Sequence, residues 1–231
     1  MGLWAKFSAW ERKQTKRLTN SFGKDISTAA GRRAARFHVH WIDHGILRYP
    51  WTNFDKIADG VYRSNQPGHA RLQRMKDMGI RTILNLRGED EFAHYLFEKE
   101  SCDALGLDMI DISLHARKAR RGERYLEVIE ALRSAPRPML IHCKSGADRA
   151  GFAAVLYKLA VEGAPISEAR KQLGLRYLHI RWSKTGILDH ILDLYEARNA
   201  QSPIAIEDWF RTEYRRKEAQ RSFDALPIWK R

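Results

Sequence analysis

"LIHCKSGADRAG", residues 140–151, sets an apolar run, a cysteine and an arginine within one short stretch. Cys143 ends "PMLIHC" (138–143), a segment too apolar for an edge strand, and "RAGFAAVLYKLAVEG" (149–163) then reads as a helix. A strand that passes through a tight loop into a helix brings unpaired backbone N–H groups and the positive end of the helix dipole to one point. Those groups stabilise a thiolate and a phosphate beside it. Gly146 permits the tight turn that points successive N–H groups inward. Arg149 opens the helix with a planar fork suited to two phosphate oxygens. His142 stands where it can fix the loop or help lower the thiol pKa. The competing role for Cys143 is a buried thiol at a strand end, since cysteine is often a small core residue.

Upstream, strand and helix signals alternate. "GVYRS" (60–64), "IRTILNL" (80–86) and "DMIDISL" (108–114) are β-branched or apolar enough for strands. Between them, "GHARLQRMKDMG" (68–79) and "EDEFAHYLFEKESCDALG" (89–106) read as helices that end on glycine. "ERYLEVIEALRSA" (123–135) carries Tyr125, Leu126, Ile129 and Leu132 on one helical face. Strands spaced by helices pair in parallel and are covered on both sides. The expected fold is therefore α/β, with a central, mainly parallel sheet flanked by helices.

Three regions divide the 231 residues. Residues 1–45 form a basic, aromatic arm in which Leu3, Phe7 and Trp10 recur at helical spacing. That is the pattern of an interfacial amphipathic helix, or of an arm docked on its own domain. Residues 46–198 hold the strand–helix units, and 199–231 a basic helical extension. At 44% hydrophobic and 30% charged, the composition is globular. The longest apolar runs fall short of the roughly 18–20 residues of a membrane span, and no signal-peptide pattern opens the sequence. Two cysteines, Cys102 and Cys143, speak against a disulfide scaffold and for a reducing compartment. A cytoplasmic location is expected, at most peripheral to the inner face of a membrane. The net charge of +13 calls for anionic partners.

The loop H-C-x5-R, with glycine inside it and glycine again at the helix start, resembles the signature of the cysteine-based protein tyrosine phosphatase superfamily. It is most similar to the small dual-specificity type of bacteria and plants. "VYRSNQP" (61–67) and "GIRTILNLRGEDE" (79–91) extend the resemblance over roughly residues 46–198. The resemblance implies a phosphoric monoester hydrolase with a phosphocysteine intermediate on Cys143, and neither cofactor nor metal. It implies that Lys144, Ser145, Gly146, Ala147, Asp148 and Arg149 hold the substrate phosphate, with His142 in support. Members of the family act on phosphoproteins, phosphoinositides or inositol phosphates.

Two positions depart from the common pattern. Ala150 stands where most members have Ser or Thr, whose hydroxyl helps the cysteine leave the phosphoenzyme. Hydrolysis of the intermediate is then expected to be slow, unless Ser145 or a water substitutes. Asp148, directly before Arg149, resembles a subset in which a loop aspartate is a candidate general acid. The more usual acid lies on a separate loop, and there "DISLHARKARRGER" (111–124) offers only Asp111. Asp148 is favoured over Asp111, with His115 third; a purely structural ion pair is the other role open to Asp148.

Arg117, Lys118, Arg120, Arg121 and Arg124 would rim such a site and steer a multiply charged substrate, or else form a solvated loop. Lys144 and the tryptophans beside Lys or Arg at both chain ends point toward a phosphorylated lipid or inositol phosphate, with peripheral contact to an anionic membrane. A phosphoprotein substrate is the family default. No nucleic-acid motif accompanies the charge. "HVHWIDH" (38–44) offers His38, His40, Asp43 and His44 at spacings a metal could use, without a second ligand cluster. Arg63 and Arg87 sit near strand ends, where side chains surround a ligand crevice. Ala150 motivates a rival of another class, a catalytically weak module that binds phosphorylated or acidic partners.

Overall fold

The computed structural model describes residues 22–227. Its strands are β1 (Asp55–Ala58), β2 (Val61–Asn65), β3 (Thr82–Asn85), β4 (Asp108–Asp111) and β5 (Met139–Cys143). They form one sheet in the order β1-β2-β5-β3-β4. β1 runs antiparallel to β2, and the remaining pairs are parallel. All five residues of β5 are buried, as the apolar run before Cys143 requires of a strand covered on both faces. β1 has no counterpart among the sequence signals. "DKIA" buries only Ile57, too little for a recognisable pattern.

The helices are α1 (Ala29–Phe37), α2 (His69–Asp77), α3 (Ala93–Leu105), α4 (Gly122–Ser134) and α5 (Asp148–Ala160). The short α6 (Ile166–Ala169) precedes α7 (Ile187–Gln201), α8 (Ile206–Thr212) and α9 (Arg216–Ala225). Side chains alternate between the two sides of a strand, so β5 feeds two cores. Leu140 packs with Leu72, Met75, Cys102 and Leu105 from α2 and α3. Met139, Ile141 and Cys143 pack on the other side, with Phe152 of α5, Leu132 of α4 and Ile191 of α7.

The extension expected to begin at residue 199 does not stand apart from this core. Trp209 and Phe210 of α8, Tyr214, and Phe223 of α9 are buried in it, and the Phe210 ring lies 4.8 Å from that of Tyr125. Burying four large aromatics outweighs the basic character that marked the segment as separate. At the other end, α1 runs on into a π-helical turn, His38–Ile42. His38 stacks on Phe92 at 5.4 Å, and Arg32 pairs with Glu100 of α3 at 2.6 Å. The proposed helix around Leu3, Phe7 and Trp10 lies outside the described residues.

Candidate active site

Cys143 ends the central strand and residues 144–147 turn the chain into α5, which begins at Asp148. Gly146 adopts φ +74°, and a Cβ there would lie 2.6 Å from the Asn65 backbone nitrogen. Both the conformation and the space demand glycine. Beneath the loop lies Arg63 of β2, fully buried. Its Nη2 donates to the carbonyls of Gly146 (2.6 Å) and Ala147 (3.3 Å), and its Nη1 to the carbonyl of Gln172. The guanidinium sits 3.7 Å from the centroid of the Tyr177 ring. Burial pushes the Arg63 pKa down to about 10, which leaves it charged at neutral pH. Asn53 Nδ2 adds bonds to the carbonyls of Ser145 (2.8 Å) and Tyr177 (3.0 Å).

A second set of contacts reaches the loop from the opposite side. His142 Nε2 lies 3.0 Å from Glu98 Oε1, both side chains being shut off from solvent. Glu98 Oε2 accepts from Gln66 Nε2 at 2.5 Å, and Gln66 Oε1 accepts from Arg87 and Arg48. Those two arginines converge on Asp43, which Arg87 grips through both nitrogens at 2.8 and 2.9 Å. Lys144 Nζ completes the cluster, 3.1 Å from Asp43 Oδ1. Burial opposes the Asp43 charge, but Arg87, Arg48 and Lys144 outweigh it and hold the carboxyl well below its usual range. Asp43, noticed in the sequence as a metal-ligand candidate, is thus the hub of three cations. Lys144 is shared between Asp43 and the cleft.

The cleft above the loop has a volume of about 690 Å³ and is lined by Lys144, Ser145, Asp148 and Arg149, together with Arg48, Arg87 and Arg117. Leu47, Trp51 and Leu178 contribute apolar parts of its wall. Cys143 is 1% exposed and does not itself line the cleft, whereas its loop neighbours Lys144 and Ser145 do. Arg149 Nη1 donates to the Leu86 carbonyl at 3.4 Å. Ala150 is wholly buried in the main core, whereas Ser145 is exposed, its Oγ 3.4 Å from the Ala147 nitrogen. His115 also lines the cleft; burial, with Arg120, Arg149 and Lys118 nearby, lowers its pKa. Of the basic loop, Arg117 faces the cleft while Arg124 pairs with Glu127 at 2.6 Å.

The two candidate acids occupy different surroundings. Asp111, at the end of β4, accepts from Asn85 Nδ2 (2.7 Å) and the Tyr95 hydroxyl (3.0 Å), and does not line the cleft. Asp148 lines it, and its Oδ1 lies 2.7 Å from His179 Nδ1. His179 Nε2 in turn lies 2.7 Å from Asp189 Oδ2. Burial opposes protonation of His179, but the bonds to Asp148 and Asp189 outweigh it and raise the imidazole to about 9. Neither His179 nor the loop contacts of Asn53 and Glu98 were foreseen. No local motif marks "RYLHIRW" (176–182), and the partner that ties His179 to the cleft, Asp148, lies 31 positions away in sequence. Arg63 was noticed as a crevice candidate, but its side chain supports the loop from below.

Both cysteines are free. Cys102 packs on the opposite side of the sheet from Cys143, and burial pushes its thiol up to about 12. His40 bonds the Arg36 carbonyl (2.8 Å) and the Tyr49 hydroxyl (3.2 Å). Among the described residues no group of three or more His, Cys, Asp or Glu side chains is arranged to hold a metal ion.

Loop, strand and helix together define a cysteine phosphatase architecture, and a family model described as the tyrosine phosphatase family matches residues 46–166. The chain belongs to that family. It is similar to the dual specificity protein phosphatase TpbA of Pseudomonas aeruginosa, with 26% identity over 116 residues, or 49% of this chain and 50% of the relative. It thus spans about half the length of the curated relatives it matches. Its fold is similar to the core catalytic domain of the PP-IP phosphatase SIW14 from S. cerevisiae, solved with citrate. That match has a TM-score of 0.50 and 18% identity, covering 65% of this chain and 94% of the other. A mutant form of Tk-PTP gives a TM-score of 0.50 and 20% identity, covering 66% and 99%. At such identities the likeness is one of fold.

Proposed function

We propose that the chain hydrolyses phosphate monoesters through a phosphocysteine on Cys143. What carries the reading is the joining of Cys143 to Arg149 by a short loop at the N-terminus of α5, under a cleft lined by five cationic side chains, Arg48, Arg87, Arg117, Lys144 and Arg149. In the first step the Cys143 thiolate attacks phosphorus and the ester oxygen departs with a proton. Arg149 and the N–H groups of residues 144–149 hold the three equatorial oxygens. In the second step water attacks phosphorus, the thiolate leaves, and the water's proton returns to the protein.

Asp148 is the group we assign to proton transfer, since it lines the cleft and Asp111 does not. Asp148 Oδ1 lies 2.7 Å from His179 Nδ1, and Asp189 fixes the far side of the imidazole. His179 is then a positioning residue that acts through Asp148. Ala150 leaves the second step without the usual hydroxyl, so release of phosphate from Cys143 is expected to limit turnover. The substrate is a phosphorylated lipid headgroup, inositol phosphate or phosphoprotein, and the cleft's positive charge favours one with more than one negative charge.

Cys143→Ser tests the reading on a generic aryl phosphate. Hydrolysis should vanish while inorganic phosphate still protects the variant against thermal unfolding. Retained turnover would overturn it. A wild-type burst of one product per chain followed by almost no turnover would favour the phosphate-binding module that Ala150 suggests.

A further inference from the structure

Two segments that contribute to the cleft wall, 46–54 and 175–182, expose several large apolar side chains. Leu47 (65% exposed), Trp51 (45%), Leu178 (56%) and Trp182 (52%) all face water, as do Tyr49 and Leu175. The segments are far apart in sequence, and Asn53 joins them through its bond to the Tyr177 carbonyl. Leu47, Trp51 and Leu178 line the same cleft as Arg149. Large contiguous apolar patches mark interaction sites, whereas single exposed side chains do not.

The second segment is built to present this surface. Tyr177 and His179 are buried and anchored, the first to Asp55 at 2.5 Å and the second to Asp148 and Asp189. Leu178 between them takes a left-handed backbone, φ +60°, a conformation that glycine or asparagine adopts far more readily than leucine. A bulky apolar residue held outward in such a conformation is better explained by what it touches than by the fold. Arg117 lines the cleft, and Lys118, Arg176, Arg181 and Lys184 are exposed on the same segments or the neighbouring loop. Arg176 pairs with Asp55 (3.0 Å) and Arg181 with Asp193 (2.7 Å), so the net positive charge of the rim comes chiefly from Arg117, Lys118 and Lys184.

We propose that this rim is an interfacial surface for an anionic lipid bilayer, which seats the cleft mouth against phosphorylated headgroups. Tryptophan and leucine enter the headgroup–acyl boundary while the lysines and arginines meet lipid phosphates. Charge complementarity selects the occupant. A protein partner with an apolar patch would match the leucines and tryptophans but would also need to neutralise the cations around them. The docking surface stands on exposure and charge alone; its consequence, that the substrate is a membrane lipid phosphate, rests on the phosphatase reading.

The test uses the full chain and vesicles of phosphatidylcholine alone or mixed with phosphatidylglycerol. The wild type should co-sediment with the mixed vesicles, and less so at high salt. The double variant Leu175→Ser/Trp182→Ser, at positions outside the cleft lining, should bind mixed vesicles about tenfold more weakly or worse. Its hydrolysis of a soluble aryl phosphate should stay within about twofold of wild type if those side chains serve only the interface. In parallel, Trp182→Phe in the intact chain should reduce quenching of tryptophan fluorescence by brominated lipid, a readout insensitive to modest loss of stability. Equal vesicle binding by wild type and double variant, or no binding by wild type, would overturn the proposal, as would unchanged quenching in Trp182→Phe. Vesicle binding by a chain that hydrolyses no phosphate ester would leave the surface standing and remove the catalytic reading instead.

Discussion

Beneath the loop that follows Cys143, charged side chains are enclosed among one another; at the mouth of the cleft, apolar side chains are left in water. Arg63 spends its donors on loop and Gln172 carbonyls, and Glu98 stands between His142 and Gln66. Asp43 gathers Arg48, Arg87 and Lys144. In the cleft wall, Trp51 and Leu178 have no such enclosure. The base fixes where the Cys143 thiol, the Arg149 guanidinium and the loop backbone proposed to hold phosphate lie relative to one another. Such preorganisation is where most of the rate enhancement in acyl- and phosphoryl-transfer sites arises. The mouth instead decides what reaches that machinery. A substitution below should therefore change chemistry or stability for every substrate, and one above should change only the response to presentation.

The largest effect is expected at the junction of the two regions. Asp148→Asn should lower kcat/KM about 10²-fold or more, with the loss concentrated on substrates that have a poor leaving group. Asp111→Asn should cost only a few-fold, because its carboxylate is taken up by Asn85 and Tyr95. Equal losses would erase the distinction between the two carboxylates.

Next is the base itself. Arg63→Leu leaves the Gly146, Ala147 and Gln172 carbonyls without their donor and should lower unfolding stability by roughly 3 kcal/mol in chemical denaturation. A loss confined to activity, with stability intact, would mean that Arg63 touches substrate rather than the loop.

His179 ties the base to the mouth, and pH separates the two. Its folded pKa is raised, to about 9 from an ordinary value near 6.5. The stabilisation is therefore complete below about pH 6.5 and is lost as pH rises toward 9. Thermal denaturation across that window should show a decline on the order of 2 kcal/mol that His179→Gln removes. A flat profile in the wild type would show that the Asp148–His179–Asp189 chain carries no such coupling.

The smallest effect belongs to Ala150→Ser. The added hydroxyl enters a wholly buried site and should cost about 1 kcal/mol of stability. If release from the phosphoenzyme limits turnover, steady-state kcat should nevertheless rise several-fold while the burst phase is unchanged.

The parts legible in sequence were those whose physics is local. A largely apolar β5, the glycine in the loop and the helical face of α4 announce themselves within windows of ten or so residues. What escaped was long-range. Arg63 and Gly146, His179 and Asp148, and Asp43 with Arg87 are each separated by dozens of residues and meet only when the sheet is assembled. β1 was too short to show alternation. The aromatic content of α8 and α9 could have predicted their burial, since large amphipathic rings seldom remain in solvent when a core is within reach. The basic charge around them obscured that signal.

The most direct measurement is rapid-quench mass spectrometry of the wild-type chain mixed with an aryl phosphate. A phosphate adduct should accumulate on the peptide that contains Cys143, decay with the rate of steady-state turnover, and be absent from Cys143→Ser. Hydrolysis without an adduct, or an adduct on any other residue, would contradict the assignment of Cys143 as the nucleophile.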